Sequence, residues 1–276
     1  MVALHPLPGA SRHVTLAKRF LPIGLAALVA ASSTAAPLAA RPARAPAATP
    51  AKRLTVMIAA AEPDAVDAGL KVLRAGGSAV DAAVTIQAVL GLEEPQSTSV
   101  AGGAFMTYYD AKTRQVTAYN GRETAPAAAT PQLFYGPDGK PMPKSQAIIS
   151  GRSAGVPGAI AMLYLAHSQH GKLPWKDLFG DAERLAAGGF AVPPRMAAAA
   201  SSNAIQARQP DAIAYFTKPD GTKVKAGDIM KNPAYAATLR KIAAEGPKAI
   251  LEGPIAEQIV ARLQQGPMPG SMTLKD

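Results

Sequence analysis

The sequence predicts an α+β chain, and three observations carry that assignment. Two glycine-bounded helical patterns run from Glu62 to Gly91, two alternating strand patterns follow between Ala104 and Tyr119, and the last third is helical from Pro233 onward. At 276 residues, 48% apolar and 17% charged, the chain has the composition of one that buries a core in one or two domains.

Thr55–Ala60 (TVMIAA) is short, apolar and partly β-branched, which suits a buried strand. A helix follows, with Pro63 in its first turn, Val66, Leu70 and Leu73 at helical spacing, and Gly76-Gly77 as the stop that side chains with a Cβ resist. Ser78 and Asp81 have the spacing of a capping-box variant. They open a second helix with Val80, Ala83, Val84, Gln87 and Leu90 on one face, ending at Gly91. Pro95–Gly103 has loop chemistry. Ala104–Tyr109 and Gln115–Tyr119 then pair across Ala111–Arg114, with Phe105, Thr107 and Tyr109 on one face and Met106 and Tyr108 on the other. Both faces are apolar enough for an interior sheet.

Gly155-Val156-Pro157-Gly158 opens a helix that carries Ile160, Leu163, Tyr164 and His167 and stops at Gly171. Another runs from Trp175 to Ala187 and stops at Gly188-Gly189. Lys218–Gly221 (KPDG) is a turn between Ile213–Thr217 and a short strand near Val224. Pro233–Glu245 and Ile255–Leu263 complete the chain, bounded by Gly246 and Gly253.

Residues 1–40 read as an export signal: a basic region ending in Lys18-Arg19, an apolar core from Phe20 to Ala31, then small residues through Ala40. The apolar core is too short for a bilayer-spanning helix, which needs about 20 residues, and Pro22 and Gly24 interrupt it. The expectation is a periplasmic or secreted protein with no stable membrane insertion once the leader is removed. Residues 41–53 are an Ala/Pro-rich tether, and 54–276 form one domain. Of the formal net charge of +10, half sits in the first 50 residues, which carry Arg12, Lys18, Arg19, Arg41 and Arg44 and no acid. The mild excess left elsewhere is not the clustered basic face that nucleic acid requires, so no nucleic-acid partner is expected. The absence of cysteine excludes disulfides and thiolate metal sites.

Arg122, which follows the hairpin, is the candidate binding residue. A guanidinium stays charged and presents a planar fork that matches a carboxylate in two parallel hydrogen bonds. Glu123 beside it either orients that fork or faces solvent. The Pro95–Gly103 loop is either a backbone anion site or a packing loop. Gly151–Gly158 has the glycines of a phosphate loop but no Gly-Lys-Ser/Thr ending, so it reads as the lead-in to a helix. His167 and His170 lie at helical spacing without a third ligand, which predicts no metal site. Glu93-Glu94, being adjacent, diverge and are expected in solvent. Nothing in the chain has the pattern of a catalytic nucleophile, and no cofactor motif is present.

The segment EPDAVDAGLKVLRAGGSAVDAAVTIQAVLGLEEPQSTSVAGGAFM, followed by GRETAP, resembles the large-subunit portion of γ-glutamyltranspeptidases. These are self-cleaving N-terminal-nucleophile hydrolases that act on γ-glutamyl amides such as glutathione. The resemblance extends over about Leu54–Asp276 through GPIAEQIVARLQ and GSMTLKD, and departs at Val100–Ala104, where the family has a longer glycine run. It implies part of a four-layer αββα sandwich, the large-subunit portion only, and places Arg122 in the family's R-E-x-A-P motif, whose arginine holds the substrate α-carboxylate. It also implies a threonine nucleophile outside this chain, carried by a small catalytic subunit that would be the expected partner, and no metal or organic cofactor. Thr85, Thr107, Thr117, Thr124 and Thr130 fall inside the large-subunit pattern and are not that nucleophile. Two other readings stay open: a non-catalytic module that binds γ-glutamyl compounds, or a related amidase acting on glutaryl or poly-γ-glutamate groups.

Overall fold

A computed structural model describes residues 56–266 and 268–276. The expected leader, 1–40, and tether, 41–53, lie outside the described residues.

The chain opens with two closely packed helices, α1 (Pro63–Arg74) and α2 (Ala79–Glu93). Gly76 takes φ +90°, and the Gly77 N–H reaches back to the Val72 carbonyl at 3.0 Å. That is the helix stop the Gly-Gly pair predicts. Ser78 caps α2 with the full reciprocal box: its hydroxyl accepts from Asp81 N–H at 3.1 Å, and Asp81 Oδ2 accepts from Ser78 N–H at 2.7 Å. α1 turns small residues inward, burying Ala65, Ala68, Gly69 and Val72 while Val66, Leu70 and Leu73 are only half-buried. The reason is closeness of approach, since a Cβ on Gly69 would lie 2.6 Å from Ile58 Cδ1 and 2.8 Å from Ile86 Cδ1.

The hairpin follows. β1 (Ala104–Asp110) and β2 (Gln115–Gly121) pair antiparallel from Ala104↔Gly121 to Asp110↔Gln115, across a turn in which Arg114 adopts φ +57°. After the six-residue α3 (Lys144–Ile149), α4 (Ala159–His170) packs on one face of this hairpin. There Tyr108 stacks on His170 with ring centroids 4.1 Å apart, and Tyr119 Oη donates to Gln169 Oε1 at 2.5 Å and meets His170 Nε2 at 2.8 Å. A 3-10 turn (Trp175–Phe179) leads into α5 (Gly180–Gly188), which ends at Gly189 with φ +117°. β3 (Phe190–Ala191) pairs antiparallel with β4 (Ile229–Met230), and between them lie α6 (Pro194–Ala200) and α7 (Pro210–Tyr215). α8 (Pro233–Glu245) buries Ala236, Leu239 and Ile242 and accepts Trp175 Nε1–H at the Ile242 carbonyl, 2.9 Å away. α9 (Lys248–Leu251) and α10 (Gly253–Leu263) close the chain.

α2 is the central element, touched by α1, α4, α5 and the Trp175 turn. It is therefore buried around most of its circumference rather than on the single face its periodicity suggests. Asp81, at 0% exposure, ties this helix to the segment after α4: its Oδ2 also accepts from Lys172 N–H at 3.0 Å and Leu173 N–H at 3.2 Å. His167 Nε2 lies 3.5 Å from Oδ1 and 2.9 Å from the Leu173 carbonyl.

Several expectations are corrected. Val56–Ala60 is not a strand: the residues alternate half-buried and exposed as a strand's would, but no neighbour hydrogen-bonds them among the described residues. α2 runs through Gly91 to Glu93, because Gly91 is a packing notch rather than a stop, and a Cβ there would collide with Tyr235 Oη. Among the described residues the hairpin is covered on one face only, with Phe105 70% exposed and Tyr109 and Val116 beside it on the other. Ile213–Tyr215 is helical, although the KPDG turn stands, with Thr217 bridged to Lys223 across it.

Replacing Asp81 by Ala strands three backbone donors and is expected to cost about 4 kcal/mol. Asp81→Asn keeps an acceptor and should cost less than half as much. Denaturant midpoints of the two variants against the parent check this order.

Candidate functional site

β2 delivers Arg122. Its last residue, Gly121, crosses Gly158 at the start of α4 with no side chain between the backbones: a Cβ on Gly158 would lie 2.5 Å from the Gly121 oxygen and 2.9 Å from its carbonyl carbon. Gly158 and Ala159 both donate to the Gly102 carbonyl, at 3.1 and 3.0 Å, so two orphan amides of the α4 N-terminus are satisfied by the glycine loop that precedes β1. Thr124 bridges to Val156 on the other side, with Val156 N–H on the Thr124 carbonyl at 2.9 Å. The three segments that the sequence singles out, Pro95–Gly103, the Arg122 motif and Gly151–Gly158, therefore converge. Gly151–Gly158 acts as the helix lead-in expected of it.

Glu123 sits where they meet. Its carboxylate lies in a recess that only glycines permit: a Cβ on Gly103 would collide with Oε2, and one on Gly155 would lie 2.7 Å from Glu123 Cβ. Glu123 Oε2 is 3.2 Å from Arg122 Nη1, and Asn120 Oδ1 accepts from Arg122 N–H at 2.9 Å. Of the two readings of Glu123, the one that orients the guanidinium fits this geometry. Arg122 itself is 63% exposed along its side chain, so the fork is held from behind and open in front. Periodicity does not reveal Glu123. The usable signal is the set of glycines at 102, 103 and 155, which leave room for a side chain that must come from somewhere.

The last residue reaches the same place. Asp276 Oδ1 accepts from Ala127 N–H at 2.6 Å, directly after the Arg122-to-Pro126 motif, and the amides of Ala127 and Thr273 hold its carboxyl below the usual range.

Other candidates fall elsewhere. His167 belongs to the Asp81 junction and His170 to the Tyr108–Tyr119 cluster, so the two share no ligand point, and among the described residues no three acidic or histidine side chains converge as a metal site would need. Glu93 and Glu94 are not in solvent but 2% and 1% exposed, a correction that follows from α2 continuing past Gly91 into the core. Among the described residues, Glu62, Asp64 and Arg195 stand around them, with Arg195 Nη1 3.1 Å from Glu94 Oε2. Burial, then the charge of Asp64 and a hydrogen bond with it, push Glu93 up to about 8. Burial, then a hydrogen bond with Glu94, push Glu62 up to about 7.

The Gly121–Gly158 crossing leaves rigid backbone on both sides. Gly158→Ala is therefore expected to destabilise the chain by about 2 kcal/mol or more, because overpacking against backbone cannot relax through a rotamer. Thermal unfolding of the variant checks it, with Gly180→Ala, where a Cβ meets nothing within 4 Å, as the control.

Comparison with known proteins agrees with this arrangement. The family profile described as Gamma-glutamyltranspeptidase matches residues 65–276. The glutathione hydrolase proenzyme of Bacillus subtilis (strain 168) is 36% identical over 220 residues, covering 80% of this chain and 37% of the relative. Glutathione hydrolase 2 of Arabidopsis thaliana is 39% identical over 208 residues, covering 75% and 34%. The crystal structure of Helicobacter pylori γ-glutamyltranspeptidase superposes with a TM-score of 0.74 at 30% identity, over 82% of this chain and 64% of that one. The chain thus spans about a third of the length of these curated relatives. Its helices and single hairpin layer are the corresponding part of the N-terminal-nucleophile hydrolase fold. The chain belongs to the γ-glutamyltranspeptidase family.

Proposed function

We propose that this chain supplies the large-subunit portion of an exported γ-glutamyltransferase or glutathione hydrolase, in which Arg122 binds the α-carboxylate of the γ-glutamyl group. The observation that carries the reading is the mounting of Arg122: a guanidinium braced at 3.2 Å by Glu123, at the end of a strand locked between glycines, with its outer face free. A carboxylate approaching that face completes a two-hydrogen-bond fork. The relatives named glutathione hydrolase support glutathione as the substrate to test first.

In this reading the substrate's γ-carbonyl is presented to a threonine hydroxyl on a companion polypeptide. Attack gives an acyl-enzyme, and water or an amino acid then releases the γ-glutamyl group. The companion also has a surface to cover. Phe105, Tyr109 and Val116 form an exposed apolar face on the hairpin, and Met57 is 81% exposed on the segment that lacks a strand partner. Export rests on the leader at residues 1–40. Among the described residues no helix is long and apolar enough to cross a membrane.

In the enzyme assembled with its companion, Arg122→Ala is expected to raise KM for a γ-glutamyl substrate about 100-fold, the loss of a charge-assisted pair. Arg122→Lys should recover only part of this, because an ammonium keeps the charge and loses the fork. Unchanged KM in Arg122→Ala would remove the assignment.

A further inference from the structure

Between the hairpin and the backbone bridge that follows it lies a short gap, and Arg122 stands in it. The β1–β2 ladder ends at the pair Ala104↔Gly121, and the next backbone pairing is that of Thr124 with Val156. Among the described residues no backbone carbonyl takes the Arg122 N–H in that gap. Its acceptor is a side chain, Asn120 Oδ1, at 2.9 Å. Gly121 faces inward against Gly158 and Met162 at the start of α4, so the alternation of β2 turns Asn120 outward, onto the side of its register partner Phe105.

The contact has the form of an Asx turn, in which the side-chain oxygen of one residue takes the amide two positions on and holds the backbone in one path. The chain closes exposed turns the same way, with Asp110 on Lys112, Asp138 on Lys140 and Asp220 on Thr222, at 2.8, 3.1 and 2.9 Å. At Asn120 the same chemistry ends a strand and fixes the peptide that bears Arg122. Glu123 acts on the tip of that side chain, 3.2 Å from Nη1, whereas Asn120 acts on its root. A two-hydrogen-bond fork needs both, because a small backbone rotation at residue 122 is magnified along a side chain as long as arginine's.

We propose that Asn120 is a positioning residue for the carboxylate site: by holding the Arg122 N–H where the ladder stops, it sets the root of the guanidinium and, through it, the affinity for a γ-glutamyl substrate. Asn120 makes no contact with that substrate, and its whole effect passes through Arg122. The consequence for affinity rests on the role proposed for Arg122, whereas the hydrogen bond does not depend on it.

Asn120 is exposed, so its truncation leaves the core intact. In the enzyme assembled with its companion, Asn120→Ala is expected to raise KM for a γ-glutamyl substrate about tenfold, with kcat within about twofold of the parent, because the guanidinium keeps its charge and loses its aim. Asn120→Asp keeps the acceptor and should return KM to about the parent's, since solvent and salt screen the added charge at an exposed position. A double variant gives the reading that general damage to the fold would not: once Arg122 is replaced by Ala, Asn120→Ala should change KM no further. In the same assembly without substrate, hydrogen exchange of the Arg122 amide should quicken in Asn120→Ala and stay at the parent's rate in Asn120→Asp. An unchanged KM or an unchanged Arg122 amide in Asn120→Ala overturns the role of Asn120. So does a KM effect that persists in the Arg122→Ala background or that Asn120→Asp fails to restore. Arg122→Ala with unchanged KM would retire the substrate assignment and the role of Asn120 with it, whereas a raised KM in Arg122→Ala beside an unchanged one in Asn120→Ala retires the role of Asn120 alone.

Discussion

The buried carboxylate of Asp81 is the contact on which the placement of the other elements depends. A carboxylate with 0% exposure is costly without hydrogen-bond partners, and Asp81 Oδ2 takes three backbone donors, one from Ser78 at the start of α2 and two from Lys172 and Leu173 just past α4, while Oδ1 has only His167 Nε2 nearby, at 3.5 Å. That one oxygen fixes the central helix against the helix that carries the hairpin. The start of α4 then meets β2 at the Gly158–Gly121 crossing, and the residue after Gly121 is Arg122. A line of close contacts therefore runs from a helix cap to Arg122 without passing through a flexible side chain.

The two ends of α2 treat negative charge in opposite ways. Asp81 lies in the first turn, where the unpaired amides and the helix dipole favour an anion, and its Oδ2 has three donors. Glu93 and Glu94 lie at the end, where the dipole opposes them and the nearby carbonyls offer no donors, and three of their oxygens go without. The same degree of burial thus accompanies a structural fastener at one end and, at the other, a Glu93 carboxyl that desolvation pushes up to about 8. Arg195 compensates for only one of the charges, and as its side chain is 62% exposed it does so weakly.

Local chemistry made much of this legible. Gly76-Gly77, the Ser78–Asp81 box, the hairpin and the Pro233–Glu245 helix each follow from residues within a few positions of one another, and each occurs where expected. The failures are those of long-range packing. Gly91 has the look of a stop, but its meaning is set by Tyr235, 144 positions later, whose hydroxyl donates to the Ala88 carbonyl at 2.9 Å. Glu93-Glu94 look like solvent residues because adjacent charges normally are, and nothing nearby in sequence announces Glu62 as their neighbour. At the site, the family motif points to Arg122, while the recess that seats Glu123 becomes visible only once Gly102, Gly103 and Gly155 are brought together in space.

The hairpin and its neighbours hold the backbone on either side of Arg122 through contacts made within this chain. A two-stranded hairpin is marginal alone in water, yet this one is pinned along one face by α4, through the stack of Tyr108 on His170 and the hydrogen bonds of Tyr119. Those contacts use the face of Met106, Tyr108 and Tyr119 and leave Phe105, Tyr109 and Val116 outward. The backbone that bears Arg122 is held at its neighbours by the Asn120 side chain, by the Gly121–Gly158 crossing and by the Thr124–Val156 bridge, all within this chain. In the role proposed for Arg122, the guanidinium's backing carboxylate and strand register are already fixed by folding, so the ordering entropy that would weaken binding is met before a ligand arrives.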